Sequence, residues 1–134
     1  MEKYMTKGGC LCGEVRYSIA GDPVAQLFCY CTDCVKVSGA AGYAAYVVQR
    51  GDLSIDQGVP TSYTVEARSG RKNTRNFCPS CGTRLWADLD TGVASVSGGS
   101  LDHPEVFLPT MIHCENDAPA WASIPVELAS LPES

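Results

Sequence analysis

Seven of the eight cysteines in this 134-residue chain fall into three short clusters, a CxC at residues 10–12, a CxCxxC at 29–34 and a CxxC at 78–81. Closely spaced cysteines are typical of thiolate sites for zinc. The first and third clusters together offer four thiols, which complete a tetrahedral site. The middle cluster offers three and leaves one position open. A closed zinc site holds a fold together, whereas an open one can do chemistry.

A disulfide framework is the alternative use of so many cysteines, and it requires an oxidising compartment. The first nine residues contain no apolar segment of signal-peptide length, so the sequence does not favour secretion. A CxC pair is also poorly placed to form a bridge with itself. We therefore expect a cytoplasmic protein whose thiols are reduced and available to metal.

Size and charge narrow the class of protein further. The length predicts a single domain over residues 1–134. The formal net charge of -5, with ten scattered Lys and Arg residues, argues against a nucleic-acid partner. The longest apolar stretch, residues 40–48, is interrupted by Gly42 and is far shorter than a bilayer span. We expect a soluble protein that binds neither nucleic acid nor a membrane.

Alternation of apolar and polar residues recurs along the chain, and helical periodicity is scarce. Val15, Tyr17 and Ile19 share one face of a predicted strand. Further strands, punctuated by 13 glycines and 8 prolines, are predicted at residues 43–48, 61–65, 71–77, 85–89, 93–96 and 106–114. A short helix is expected over 35–38, and the acidic tail 125–134 is expected to be loosely held. The pattern predicts a mostly antiparallel β domain.

Glycine follows both two-thiol clusters, at Gly13 and Gly82. Glycine suits a metal knuckle because backbone amides must approach the sulfurs closely and the chain can need a positive φ. The sequence thus predicts a structural zinc ion held by all four thiols of these clusters, Cys10, Cys12, Cys78 and Cys81. Such an ion contributes about 10 kcal/mol or more to folding. The alternative is that these cysteines are ordinary buried thiols.

Cys29, Cys31 and Cys34 could cap a second ion from one side. The first two thiols can share a face of an extended segment, and the third returns from the turn that follows. Water, a substrate thiol or another protein group would then be the fourth ligand. Three thiolates around Zn²⁺ leave a net charge near -1, which suits thiolate exchange better than strong Lewis-acid chemistry. We expect this second zinc to be the more labile one.

The three clusters, in this order, resemble the glutathione-dependent formaldehyde-activating enzyme family, which shares its domain with centromere protein V. The resemblance rests on residues 8–13, on 29–34 with 38–40, and on 77–83 with Leu85. The Gly-Ser-Leu-Asp-His-Pro turn at 99–104 and the Pro-Ala-Trp segment at 119–121 agree with it. Two positions depart from the pattern. Tyr30 stands where many relatives have histidine, and Val35 replaces a basic residue.

The resemblance implies an Mss4-like antiparallel β-sheet domain with zinc knuckles, a core of about residues 8–121 and two zinc ions. It implies that Cys10, Cys12, Cys78 and Cys81 hold the structural ion and that Cys29, Cys31 and Cys34 hold the catalytic one. The implied activity is that of a carbon–sulfur lyase, which adds glutathione to formaldehyde to give S-hydroxymethylglutathione. Tyr30 and a bound water are the candidate proton donors, and an aromatic residue between two ligands more often packs as a wall of the site. Arg75 is interpreted as a solvated strand residue and not as a carboxylate anchor.

Two other functions remain open. The segment around Cys114 distantly resembles the nucleophile strand of methionine-R-sulfoxide reductases. Neighbouring strand residues face opposite sides, however, so His113 would not activate this thiol, and a buried core cysteine is expected. A non-catalytic zinc- and thiol-binding module would instead leave the middle cluster free of metal or close it with a fourth protein ligand. His103 and His113 are the histidines available, and neither lies at ligand spacing from another donor. The true thiol, the carbonyl and the oligomeric state also stay open.

Overall fold

β-Strands dominate the computed structural model, which describes residues 4–131. In chain order the strands are β1 (Met5–Gly9), β2 (Arg16–Ala20), β3 (Ala25–Cys29), β4 (Tyr43–Gln49), β5 (Leu53–Gln57), β6 (Thr61–Glu66), β7 (Lys72–Phe77), β8 (Arg84–Leu89), β9 (Val93–Ser97), β10 (Met111–His113) and β11 (Ala129–Leu131). The helix α1 spans Thr32–Ser38. Short 3-10 turns lie at Arg50–Asp52, Gly98–Ser100, Pro104–Val106 and Glu115–Asp117. The predicted mostly β fold is confirmed.

The strands form two sheets. The smaller sheet has the order β1-β2-β5, and the larger sheet has the order β11-β10-β3-β4-β9-β8-β7-β6. Neighbouring strands are antiparallel except at β10, which runs parallel to both β3 and β11. The prediction of antiparallel pairing therefore holds for most of the sheet area, with parallel pairing confined to one edge of the larger sheet.

Most predicted strands are confirmed, as β2, β4, β6, β7, β8 and β9. Val15, Tyr17 and Ile19 are all fully buried, as their shared spacing indicates. The helix begins at Thr32, earlier than predicted, so Cys34 lies inside it. It ends where Gly39 adopts the left-handed conformation. Within residues 4–131, none of the helices has the length and apolar character that crossing a membrane requires.

The prediction of one long strand over 106–114 is wrong. Residues Pro104–Val106 form a 3-10 turn, and the strand itself covers only Met111–His113. Pro109 lacks a backbone N–H and so cannot complete a strand ladder. The tail that was expected to be loosely held instead contributes β11, which pairs with β10. The last three residues of that tail, 132–134, lie outside the described part of the chain.

The hydrophobic core fills the space between the two sheets. Its members from the smaller sheet and its flanks are Val15, Tyr17, Ile19 and Leu53, and those from the larger sheet include Tyr46, Val48, Trp86 and Val96. The rings of Tyr17 and Trp86 meet edge to face, with centroids 6.0 Å apart. Because strand side chains alternate between faces, the other face of the larger sheet is left to support α1 and a cavity.

The turn after β9 ties the two sheets together. Leu101 forms an isolated bridge with Gly8, and the Asp102 N–H donates to the Lys7 carbonyl at 2.9 Å. The Arg16 guanidinium donates to the Asp102 carboxylate at 2.8 Å and holds the pKa of that carboxyl below its usual range. The Gly-Ser-Leu-Asp motif is therefore a structural element at the seam between the sheets.

Replacing Gly8 with alanine should destabilise the protein by about 1–3 kcal/mol, because a Cβ there overpacks the core. That atom would lie 2.3 Å from the Tyr17 hydroxyl and 2.6 Å from the Ser100 backbone oxygen. Chemical denaturation measures the change. The matched control is Gly51→Ala, where a Cβ meets no described atom within 4 Å. The control should change stability by less than about 0.5 kcal/mol. Equal stability of the two variants would contradict this close approach.

Candidate metal centres

The four sulfurs of the two-thiol clusters meet at one end of the sheets. Cys10 and Cys12 lie in the turn between β1 and β2, and Cys78 and Cys81 lie in the turn between β7 and β8. Their Sγ atoms all lie within 4.8 Å of one another, with Cys10–Cys12 at 3.6 Å and Cys12–Cys78 at 3.7 Å. Two sulfurs on one tetrahedral Zn²⁺ would stand about 3.8 Å apart. The donor set therefore fits such an ion.

Both turns have the geometry of a metal knuckle. The Gly13 N–H donates to the Cys10 carbonyl at 3.1 Å, and the Gly82 N–H donates to the Cys78 carbonyl at 2.9 Å. The two glycines have φ values of 83° and 77°, a region that residues with a Cβ rarely adopt. The positive φ predicted for these glycines is confirmed.

Backbone and hydroxyl donors surround the sulfurs of this first cluster. The Val15 N–H donates to Cys10 Sγ at 3.2 Å, and the Cys81 N–H donates to Cys78 Sγ at 3.5 Å. The Thr83 hydroxyl lies 3.2 Å from Cys81 Sγ and lowers the pKa of that thiol to about 5. Hydrogen bonds of this kind stabilise thiolates, which are the form that binds metal.

The structure also brings the three sulfurs of the middle cluster together. Cys29 ends β3, Cys31 caps the N-terminus of α1, and Cys34 lies in the first turn of that helix. Their Sγ atoms lie within 4.8 Å of one another. The Cys34 N–H donates to Cys31 Sγ at 3.2 Å. The third sulfur thus returns on a helical turn, and the three donors face one point as predicted.

The close contact of these three thiols shifts their pKa values in opposite directions. Hydrogen bonds from Cys29 and Cys34 lower the pKa of the Cys31 thiol to about 2, so this sulfur carries the charge first. The same contacts with Cys31 and Cys34, together with burial, raise the pKa of Cys29. Thiolates this close repel one another, so a divalent cation is required for all three to be deprotonated together.

Two further donors reach this cluster that the sequence did not predict there. Nδ1 of His113 lies 3.5 Å from Cys29 Sγ and 3.6 Å from Cys114 Sγ. The parallel pairing of β10 with β3 sets His113 directly opposite Cys29. The signal in the sequence was the adjacent His-Cys pair, which carries two metal-binding side chains. Cys29, which His113 contacts, lies 84 residues earlier in the chain, so the sequence did not indicate the contact.

The expectation that His113 and Cys114 face opposite sides is wrong because β10 ends at His113. Cys114 follows the strand with φ 57°, and its sulfur remains beside the His113 ring. The expected burial of Cys114 is confirmed, at 7% exposure. His103, by contrast, has an 80% exposed side chain beside Glu105, as expected for a surface residue.

A cavity of about 370 Å³ opens beside the middle cluster, over the outer face of the larger sheet. Arg75 of β7 lines it and is only 7% exposed, so the interpretation of a solvated arginine is wrong. Within the described residues, its Nε atom has no hydrogen-bond partner. Arg68 and Arg71 also line the cavity. A buried guanidinium with an unused donor favours an anionic ligand.

Tyrosine hydroxyls differ in their access to the cavity. Tyr30, one of the two candidate proton donors, is buried, and a Cβ on Gly42 would lie 2.7 Å from its ring. It is not among the residues that line the cavity, whereas Tyr43 is. The Tyr43 hydroxyl donates to the Ser95 carbonyl at 3.3 Å, and burial raises the pKa of this phenol.

The profile of the glutathione-dependent formaldehyde-activating enzyme family matches residues 5–116, which include all eight cysteines. The chain belongs to this family. A Halomonas elongata protein with the provisional name glutathione-dependent formaldehyde-activating enzyme is 27% identical over 130 residues, covering 90% of this chain and 81% of that protein.

A crystal structure of a Rhodobacter sphaeroides protein shares the fold. It superimposes with a TM-score of 0.59 and 21% sequence identity, over 72% of this chain and 88% of that chain. The arrangement of sheets is therefore found in a solved structure.

Cys78→Ser and Cys34→Ser should have different consequences. Cys78 is fully buried between the sheets, so its loss should release one ion and destabilise the fold by several kcal/mol. Cys34→Ser removes a donor at the edge of the cavity and should release only the other ion. Elemental analysis and near-UV circular dichroism measure the two effects. If Cys34→Ser unfolds the protein as fully as Cys78→Ser does, the division into a structural and an open site is wrong.

Proposed function

We propose that this protein is a zinc-dependent carbon–sulfur lyase, which adds glutathione or a similar thiol to formaldehyde or a related small carbonyl. The product with formaldehyde is S-hydroxymethylglutathione. The observation that carries the proposal is the opening of the Cys29, Cys31 and Cys34 cluster into a cavity lined by arginines. Family membership supports the same activity.

In this proposal two zinc ions have separate roles. The structural ion belongs to Cys10, Cys12, Cys78 and Cys81, whose donor set is complete and joins the two sheets. The catalytic ion belongs to Cys29, Cys31 and Cys34, which supply three of four tetrahedral positions. When bound there, Zn²⁺ supplies a place where a substrate thiol is held as its thiolate.

Arg75 is the residue that we assign to the carboxylate of the thiol substrate. Glutathione carries two carboxylates, and a guanidinium pairs with a carboxylate through directional, charge-assisted hydrogen bonds. The charge of Arg75 adds to the hydrogen bonds from Cys29 and Cys34 in lowering the pKa of Cys31, so the guanidinium lies within electrostatic reach of the cluster. Binding at Arg75 would fix one end of the substrate while its sulfur lies at the metal site.

The reaction forms one carbon–sulfur bond and converts the carbonyl to a hydroxyl. The thiol loses its proton, and the carbonyl oxygen gains one. Tyr43, which lines the cavity, is the residue that we assign to protonation of the carbonyl oxygen. Its raised pKa keeps the phenol protonated, and the hydroxyl would have to turn away from the Ser95 carbonyl to donate to the developing oxyanion. The reducing cytoplasm, which keeps the thiols available, is the compartment that we propose.

A zinc- and thiol-binding module without catalysis is the second candidate. It is favoured by the 3.5 Å approach of His113 Nδ1 to Cys29 Sγ, since such a module needs an additional protein ligand near the middle cluster. A rate measurement separates the two candidates, because a module would not accelerate the addition.

The metal-loaded protein should consume formaldehyde and glutathione faster than the spontaneous reaction does, and Cys34→Ser should reduce the rate to that background. NMR of the S-hydroxymethyl product measures the initial rate. Cys34 supplies one of the three open-site sulfurs, so its loss removes the place where the substrate thiolate is held. If the wild-type protein with both sites loaded gives no acceleration, the lyase assignment must be abandoned in favour of the module.

Arg75→Gln should raise the KM for glutathione by about 10-fold to 100-fold, the loss expected for a hydrogen bond to a charged group. The KM for cysteamine, a thiol without a carboxylate, should change little. Arg84→Gln is the matched control because Arg84 does not line the cavity. Steady-state kinetics with both thiols measures the effect. An equal rise in KM for cysteamine would show that Arg75 does not bind a carboxylate.

A further inference from the structure

We propose that Cys29, His113 and Cys114 form a third metal site, suited to a soft divalent cation such as Zn²⁺. In this site the Cys29 thiolate is shared with the three-cysteine site of the proposed function. The three ligand atoms lie within 4.8 Å of one another, as do those of Cys29, Cys31 and Cys34, and the two triads meet at Cys29. The site rests on this grouping of donors and not on the catalytic assignment.

The distances match what one ion requires. A sulfur and a nitrogen on a tetrahedral Zn²⁺ stand about 3.6 Å apart, given Zn–S of about 2.3 Å and Zn–N of about 2.0–2.1 Å. His113 Nδ1 lies 3.5 Å from Cys29 Sγ and 3.6 Å from Cys114 Sγ. Nδ1 is the ring nitrogen close to both sulfurs, but Cys114 Sγ also lies 3.7 Å from Nε2, so the ring must rotate for Nδ1 to point at an ion that both sulfurs bind. Imidazole and thiolate are the donors that zinc prefers.

The local backbone places the Cys114 thiol here at an energetic cost. Among residues 4–131, Cys114 is the one non-glycine residue with a positive φ, at 57°. This conformation is strained for a residue with a Cβ. Glycine would adopt it without that cost. The strained turn keeps a buried sulfur beside His113, which a continued strand would not do.

Charge balance favours a second ion over one shared by all five donors. Cys29, Cys34 and Cys114 are each at most 8% exposed, so uncompensated charge among them is costly. The four cysteines of the two triads carry a charge of -4 as thiolates, and one Zn²⁺ leaves -2. A second Zn²⁺ neutralises the group. A thiolate sulfur has lone pairs for two metals, so Cys29 can bridge them.

Metal stoichiometry tests this site. The whole protein is loaded with excess Zn²⁺ under reducing conditions, desalted, and analysed for zinc per chain. We expect three equivalents in the wild type and two in each of Cys114→Ser and His113→Gln. His103→Gln is the matched control and should retain three, because His103 is exposed and belongs to none of the metal-ligand groups found among the described residues. Far-UV circular dichroism confirms that each variant is folded.

Cobalt titration provides a second readout. The third equivalent of Co²⁺ should add thiolate-to-metal charge-transfer absorption in the wild type and in His103→Gln, and this increment should be lost in Cys114→Ser. Two equivalents in the wild type would overturn the proposal, because His113 would then at most complete the three-cysteine site. Three equivalents retained in either folded variant would also overturn it. Since Cys114→Ser and His113→Gln remove different ligands, one folded variant is enough to decide.

Discussion

Mutual repulsion between closely packed thiolates is the constraint on which this structure depends. Four sulfurs meet where the turn between β1 and β2 faces the turn between β7 and β8. The first turn belongs to the smaller sheet and the second to the larger. A cation that neutralises the sulfurs thus also joins the two sheets across the core, beyond what apolar packing of Tyr17 on Trp86 provides. At such a site, metal binding would be coupled to fold stability.

Alternate side chains of the larger sheet point to opposite faces, so one face packs in the core and the other lines the cavity. In β4, Tyr46 and Val48 face the smaller sheet, whereas Tyr43, Ala45 and Val47 face the cavity side. The same rule sends Arg75 of β7 and Cys29 of β3 to the cavity. A one-residue slip in any of these strands would exchange the two faces, so the register that builds the core also aims the functional groups.

The sequence predicts those parts of the site that depend on residues close together in the chain. The CxC, CxCxxC and CxxC spacings fix which sulfurs can meet, and the period-two alternation identifies most strands. His113 and Arg75 could not be placed in this way, because their environment comes from strand pairing over long separations. His113 meets Cys29 only through a three-residue parallel strand, and local periodicity does not encode such a pairing.

If the cavity binds a carboxylate as proposed, Arg75 would connect metal loading to ligand binding through charge. With one Zn²⁺ among four thiolates, the residual negative charge attracts the guanidinium and competes with any carboxylate in the cavity. A second cation that neutralises the sulfurs would remove that competition, while Nε has no hydrogen-bond partner among the described residues in either case. The arginine therefore responds to the charge of the cluster as a whole. Carboxylate affinity should rise as metal occupancy rises, although the carboxylate itself contacts no metal in this arrangement.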